Sequence, residues 1–369
     1  MGKIKTAIIG LGTQGRKYAL IIGNNDLNLE LTAVCSSNKN TPKWLEENIK
    51  GKVSVYSTEE EMYSENKDIE AVVVCNPHPC HPQTVLRAFK EKKQVLCEKP
   101  AATDIKTAYK MYKAAEEEGC AYALMFHQRA FQKFKYIKSL LSENKIGTLM
   151  SFSWENTEYY RTAFYHNSSP WRSSWQGEGG GVLINQGAHP LDMLTYLFGM
   201  PQKLYSEIPF GKYNDFSVDD EASLFLEYNN KLTGRFFVST GEIVGENRLS
   251  VSGTKGKIVM EGDEVTLYTY SEDLPEYSKN ANCTSTQDMN ISKTEKIFQT
   301  SREDPYSEMF ENFASACRKE ELPIASGKEG IDSLMLTNAA YLSAWKNEKV
   351  ILPLDMEEYQ KEFEKNTKE

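Results

Sequence analysis

The chain has no apolar run long enough to cross a bilayer, no close cysteine pair, few histidines and no surplus of basic charge. Each absence removes a class of function. Without about 20 consecutive apolar residues there is no helical membrane span. The seven cysteines, Cys35, Cys75, Cys80, Cys97, Cys120, Cys283 and Cys317, are an odd, scattered set. They fit reduced thiols packed as small hydrophobes, not a disulfide framework. The five histidines are not at ligand spacing with cysteine or acid partners, so no metal site is expected. A net charge of -9 argues against nucleic acid and anionic membrane as partners. No internal repeat or low-complexity linker is present. The opening residues Met1-Gly2-Lys3-Ile4 run straight into a strand and leave no room for a signal peptide, so a cytoplasmic protein is expected.

What is present is a globular composition, 40% hydrophobic and 26% charged over 369 residues, which is sized for two domains. Apolar, strand-like runs at 3–9, 29–35, 53–56, 70–75, 94–97 and 121–125 alternate with helical stretches at 13–22, 41–49, from 58, at 82–91 and at 104–119. That rhythm predicts an α/β domain with a mostly parallel sheet covered on both faces. After residue 126 the rhythm changes. A helix at 131–141, a strand at 148–156, a loop rich in Tyr, Trp, Ser and Gly at 157–181 and a helix at 185–198 come first. Strand-like runs then follow one another to residue 270, broken by turn signals such as Asn229-Asn230. This predicts an α+β domain built on a large, open, mostly antiparallel sheet. Residues 271–300 are polar and carry no periodic signal, and helices are expected at 305–318 and 330–345. The expected division is a Rossmann domain at 1–126, a substrate-binding and oligomerisation domain at 127–355 and a charged tail at 356–369.

Gly10-Leu11-Gly12-Thr13-Gln14-Gly15 follows the first strand and opens the first helix. Gly10 suits a tight turn, Gly12 lets backbone approach a pyrophosphate, and Gly15 lets helix and strand pack closely. Thr13 and Gln14 lie at the helix N-terminus, where unpaired N–H groups and the helix dipole attract phosphate. The second strand ends in Val34-Cys35-Ser36-Ser37-Asn38-Lys39, with neither an acid for ribose hydroxyls nor an arginine for a 2′-phosphate. Ser36 can bond a ribose hydroxyl and Lys39 can meet a phosphate. The balance leans slightly to NAD as cofactor, with NADP open.

Two further segments are Val95-Leu96-Cys97-Glu98-Lys99-Pro100 and the run from Gly179-Gly180-Gly181 through Asn185-Gln186-Gly187-Ala188-His189-Pro190 to Asp192. Together with the glycine fingerprint and the Cys75-Asn76-Pro77…His81 stretch, they resemble the glucose–fructose oxidoreductase / inositol dehydrogenase / MocA family over nearly the whole chain. The resemblance implies an enzyme oxidising or reducing a carbinol carbon of a sugar, glycoside or inositol. Asn76, Pro77 and Glu98 are then cofactor contacts, Lys99 lies between nicotinamide and the substrate hydroxyl, and His189 is the catalytic histidine. It also implies a homo-oligomer, a dimer, tetramer or hexamer, because an uncovered sheet face would be a sizeable apolar patch. Two positions depart from the family pattern. Asn185 stands where aspartate is common, and it binds hydroxyls without ionising. His78 stands where asparagine is usual.

The chemistry is consistent in itself. Hydride removal from a secondary alcohol needs a base for the hydroxyl proton and a positive group beside the developing alkoxide. His189 is the natural base, and Lys99 can donate to the oxygen. Tyr160, Arg161 and Trp175 are expected to line the pocket, offering flat apolar faces and planar donors to a sugar ring. His127, Gln128 and Arg129 follow the sixth strand, where Rossmann crevices open, and Asp192 either orients His189 or braces its helix. Two other functions compete with a ring-hydroxyl dehydrogenase acting, for example, on the 3-hydroxyl of a glucoside. One is a redox-neutral, NAD-dependent glycoside-cleaving enzyme. The other is a dinucleotide-sensing regulator on the same fold, against which the retention of both Lys99 and His189 argues.

Overall fold

A computed structural model describes residues 2–285, 288–299 and 304–368 and divides the chain into two compact units. The first comprises Met1–Ala130, Gly177–Gly179 and Ser301–Leu334. It holds a six-stranded parallel sheet, β1 (Ile4–Ile9), β2 (Leu29–Cys35), β3 (Ser54–Tyr56), β4 (Ala71–Val74), β5 (Gln94–Cys97) and β6 (Tyr122–Leu124), in the order β3-β2-β1-β4-β5-β6. The strands are connected by α1 (Thr13–Asn24), α2 (Thr41–Asn48), α3 (Glu59–Glu65), α4 (His81–Lys90) and α5 (Ile105–Glu118). This is the dinucleotide-binding strand order, with its reversal between β1 and β4. The central strand β4 is buried along its whole length, as its unbroken Ala-Val-Val-Val run requires of a strand covered on both faces. Local signals set the helix ends: Asp104 accepts from the backbone of Thr107 at 2.8 Å to open α5, and Gly119, at φ +66°, closes it.

Chain order alone does not reveal that helix Asp304–Cys317 and the first turns of helix Gly327–Lys346 belong to this unit. Tyr18 of α1 meets Phe310 edge-on at 5.3 Å. Leu124 donates its backbone N–H to Ala325, and a Cβ on Gly330 would lie 1.8 Å from the Leu124 side chain. A side chain there would displace the Leu124 side chain.

The second unit comprises Phe131–Gln176, Gly180–Thr300 and Met335–Glu369. It opens with α6 (Gln132–Ser142) and contains a nine-stranded sheet. Its strands are β7 (Leu149–Asn156), β8 (Lys203–Glu207), β9 (Glu221–Glu227), β10 (Thr233–Ser239), β11 (Asn247–Gly253), β12 (Gly256–Glu261), β13 (Glu264–Tyr270), β14 (Ile291–Ile297) and the short strand Val350–Ile351. The sheet order is β14-β13-β12-β11-β7-β10-β9-β8, with Val350–Ile351 beyond β8. All pairings are antiparallel except β7 with β10. One face carries the core, with Phe152 and Trp154, Leu249 and Val251, Ile258 and Met260 all buried. The other carries Ser151, Ser153 and Glu155 of β7, Arg235 of β10 and the Arg248–Glu261 ion pair, interspersed with Phe225. This open face mixes polar side chains with the aromatic residues Tyr205, Phe225, Phe237 and Tyr268.

Two short helices, α7 (Ala163–His166) and α8 (Ala188–Phe198), flank the glycine triplet. The segment between them is held by one carboxylate. Asp219 is fully buried and accepts from the backbone N–H of Gly181 at 2.6 Å, that of Leu183 at 2.7 Å and the Tyr341 hydroxyl at 2.7 Å. Burial raises its pKa above the ordinary aspartate value, against the pull of these donors. Nothing larger than glycine fits the turn: a Cβ on Gly181 would lie 1.8 Å from the Asp219 carbonyl, and one on Gly180 2.1 Å from the Tyr341 hydroxyl.

Asp219→Ala strands three buried donors, at a cost of about 3 kcal/mol or more. Thermal unfolding should show a loss of several degrees in Tm, and a variant as stable as the parent would show that Asp219 does not hold this turn.

Candidate functional site

In the first unit the strands β1, β4 and β5 end side by side, and the residues that follow them form one edge. Gly10 follows β1 at φ +93°, and a Cβ there would lie 2.7 Å from the Asn76 nitrogen. A Cβ on Gly15 would lie 2.0 Å from the Gly10 carbonyl oxygen. A Cβ on Gly12 would meet nothing within 4 Å. Gly10 and Gly15 are therefore demanded by packing, while Gly12 faces an opening at the N-terminus of α1, where Thr13 and Gln14 are exposed. An open backbone edge at a helix N-terminus fits a pyrophosphate.

The loops after β4 and β5 are tied together by His81, which sequence reading places in the Cys75-Asn76-Pro77…His81 stretch without assigning it a role. Its Nδ1 lies 2.8 Å from the Pro100 carbonyl oxygen and its Nε2 2.9 Å from that of Asn76. Burial lowers its pKa, so the neutral ring donates to one carbonyl at a time. Asn76 donates its amide to Thr84 Oγ1 at 2.8 Å, and Pro77 is exposed beside it. His78, the departure from the family pattern, is buried with its ring 5.7 Å from that of His81.

Glu98 and Lys99 follow β5, with a cis peptide bond from Lys99 to Pro100. The Glu98 carboxylate accepts from the Tyr18 hydroxyl and from the Lys99 backbone N–H, the latter at 3.0 Å. Burial raises the pKa of Glu98, opposed first by the charge of Lys99. His127 stacks on Tyr306 with centroids 4.3 Å apart and lies 3.1 Å from its hydroxyl. Lys17 sits over the other ring system, 3.5 Å from the Tyr306 centroid. Burial, then Lys17 and Lys99, push the His127 pKa down to about 3. Arg129 serves a different end from the substrate contact considered for its segment. Its buried guanidinium pairs with Glu329 at 2.5 Å and donates to the Ile324 carbonyl at 3.0 Å.

In the second unit His189 is the second residue of α8 and is partly exposed. The helix begins at Ala188, later than the pattern predicts, so Asn185 lies in the turns before it and not one helical turn behind His189. Asp192 is fully buried on α8. The Asn185 amide donates to the Tyr165 hydroxyl at 3.1 Å. Gln186 Nε2 reaches the same oxygen at 3.2 Å and Arg172 Nη1 at 2.9 Å. The Arg161 and Arg172 guanidinium carbons lie 4.5 and 4.6 Å from the Tyr165 ring centroid. Tyr165 is thus the hub of the polar cluster leading into α8, and sequence reading missed it; its spacing from Arg161 and Arg172 in a tyrosine-rich loop is the only signal. Tyr160 is 45% exposed. Trp175 is a correction. It is buried, its ring meets Tyr341 at 5.0 Å and Trp345 at 5.5 Å, and its indole N–H donates to the Ser217 carbonyl at 3.2 Å, so it packs the core and offers no face to a ligand.

The first unit is a dinucleotide-binding Rossmann domain, and the second is a mixed-sheet domain of the kind that accompanies it in one group of oxidoreductases. The chain belongs to that group, the glucose–fructose oxidoreductase / inositol dehydrogenase / MocA family. Residues 4–126 match its NAD-binding Rossmann fold and residues 138–352 its C-terminal alpha/beta domain. NAD is the cofactor of such a domain. Among characterised relatives, glucose-6-phosphate 3-dehydrogenase of Bacillus subtilis is 26% identical over 62% of this chain, and the chain spans 65% of that relative's length. The scyllo-inositol 2-dehydrogenase (NADP(+)) of the same organism is 24% identical over 77% of this chain and 79% of its own. The 2,7-anhydro-N-acetylneuraminate hydratase of Escherichia coli is 25% identical over 71% and 68%. The WlbA dehydrogenase of Bordetella pertussis, solved with NADH and UDP-GlcNAcA, shares the fold at a TM-score of 0.79 and 21% identity, over 96% of this chain and 100% of that one.

His127 remains neutral in the folded protein down to about pH 3, whereas an unfolded histidine protonates near 6.5. Protonation of the unfolded chain therefore removes stability as pH falls from 6.5 toward 3, by at most about 1.4 kcal/mol per pH unit. Urea midpoints measured between pH 7 and 4.5 should fall less steeply for His127→Gln than for the parent, and equal slopes would contradict this assignment.

Proposed function

We propose that the protein is an NAD-dependent dehydrogenase that oxidises a ring hydroxyl of a sugar, glycoside or inositol. The observation that carries this reading is the position of Lys99. It follows β5 on the edge that also presents the Gly10–Gly15 turn, where open α/β sheets bind their ligands. When bound, NAD supplies a hydride acceptor at its nicotinamide. The Gly12 edge and the α1 N-terminus hold its pyrophosphate, and Ser36, Asn76, Pro77 and Glu98 are its further contacts. Lys99 donates to the substrate oxygen and offsets the charge that develops there. His189 takes the hydroxyl proton. Tyr160, Arg161 and Asn185 bind the remaining hydroxyls, joined by Tyr165. The first relative is named for the 3-position of a hexose phosphate, which supports the 3-hydroxyl as the first to test.

A second reading draws on the relative named as a hydratase. There the hydroxyl is oxidised transiently, elimination or addition follows, and the hydride returns to the substrate without net use of NAD.

Purified protein should raise absorbance at 340 nm with NAD or NADP and one member of a panel of glucosides, hexoses, uronates and inositols. Lys99→Ala and His189→Ala should each lower kcat by about 100-fold or more while leaving dinucleotide affinity within about threefold. Near-normal turnover in either variant would remove that residue from the chemistry. No net reduction of added NAD, with bound NAD released on denaturation, would favour the second reading.

A further inference from the structure

We infer that the protein carries a second small-molecule site, at the edge of the parallel sheet opposite the dinucleotide edge, and that its ligand is a small amphipathic carboxylate with an apolar body. The inference goes beyond the dehydrogenase reading and does not depend on it.

A cavity of about 470 Å³ opens between α5, the amino ends of β5 and β6, and the chain that joins helix Asp304–Cys317 to helix Gly327–Lys346. Its lining belongs wholly to the first unit. Gln94, the first residue of β5, lines it, whereas Glu98 and Lys99 follow the other end of that strand, about 10 Å or more away. A cavity of this volume is in the range that takes small organic ligands.

The inner wall is apolar. Ala115 and Ala316 are buried there, and Leu322, which also lines the cavity, is 87% exposed. Tyr122 lines it too. Its ring lies 5.4 Å from that of Phe89, and a Cβ on Gly327 would sit 2.0 Å from it. The Tyr122 hydroxyl is shielded from solvent and has no partner among the described residues. An unpaired buried hydroxyl is costly, and an acceptor on a ligand would remove that cost.

The mouth favours an anion. Gly327 and Lys328 begin a 20-residue helix. Ser326 Oγ accepts from the Glu329 N–H at 3.3 Å, which leaves the N–H groups of Gly327 and Lys328 without intrahelical acceptors. The Glu329 carboxylate does not fill their place, since it pairs with Arg129 at 2.5 Å. Lys319 and Lys328 are exposed on the rim, and neither has an ion-pair partner among the described residues. The Lys319 charge is felt at Cys120 and that of Lys328 at Glu116, both on the cavity wall. Two of the three acids at the rim are engaged. Glu116 pairs with Lys113 at 2.7 Å and accepts from the Tyr112 hydroxyl, and Glu321 accepts from the Asn312 amide at 3.2 Å. Two lysines and a helix N-terminus therefore stand against Glu320 alone, a balance that suits one carboxylate above an apolar body.

The probe is 2-naphthoate, titrated calorimetrically into the full chain with and without saturating NADH. It should bind at one site per chain with a Kd of about 1 mM or tighter, and NADH should change that Kd by less than about threefold. The neutral analogue 2-naphthamide should bind about 10-fold more weakly, and the double variant Lys319→Ala, Lys328→Ala should lose about 10-fold for 2-naphthoate. Tyr122→Phe should lose about threefold, and Cys120→Trp, which fills the cavity, should abolish binding. Circular dichroism matching the parent establishes that the variants fold. No binding of the probe at millimolar concentration would overturn the inference, as would its displacement by NADH or equal affinity for the amide. Binding left intact in both the lysine and the Cys120 variants would place the probe elsewhere and overturn it as well. None of these outcomes bears on the dehydrogenase reading, which falls separately if the parent binds neither NADH nor NADPH.

Discussion

The dinucleotide edge depends on a close approach of two backbone segments. At Gly10 the chain leaving β1 runs against the chain leaving β4, with no space for a methyl group between Gly10 and the Asn76 nitrogen. Gly15 presses on the same turn from α1. This contact fixes how the helix N-terminus is aimed and leaves Gly12 as the open member of the triplet. His81 extends it by bridging the loops after β4 and β5, so that Asn76 and the Glu98-Lys99-Pro100 segment are set against a common ring. The positions of three of the proposed cofactor contacts thus follow from one steric constraint and one buried imidazole.

The second unit solves a similar problem with charge. A carboxylate is expensive to bury unless its lone pairs are filled. Asp219 is buried because it has work for both oxygens, closing the Gly180-Gly181 turn against Tyr341. The turn leads through Asn185 into α8 and His189, and it is also where the Tyr165 hydroxyl gathers donors from Arg172, Asn185 and Gln186. The aromatic core behind it, with Trp175, Tyr341 and Trp345, gives the turn a rigid backing.

Local patterns carried much of this fold. The strand–glycine–helix opening, the apolar run of β4 and the Asp104 and Gly119 caps are contained in a few consecutive residues, and so they read correctly. What sequence could not show are arrangements that join distant residues or lack periodicity. Asp219 meets a turn 38 residues away, and Arg129 meets Glu329 across 200 residues. The strand β14 is exposed at every position, so it has no alternation of apolar and polar residues to mark it. Trp175 looked like a pocket residue because aromatic loops commonly bind sugars; its indole is instead absorbed by rings from helix Gly327–Lys346, which the loop's own sequence does not contain. Within the candidate site, His81 belonged to a recognised stretch but its bridging role was not legible, nor were the parts played by Tyr165 and Asp219.

Lys99 stands among groups whose charges oppose one another. Lys99 and Lys17 are both felt by His127 and both favour its neutral form. Glu98 acts in the opposite direction. Its carboxylate is held by the Tyr18 hydroxyl and the Lys99 N–H, and although burial raises its pKa, the two lysines draw it back toward the charged form. The edge therefore couples one partly buried acid to two lysines through rigid backbone and aromatic contacts. In the proposed reaction, a cation held in this way offsets the charge that develops on the substrate oxygen with little rearrangement of its surroundings.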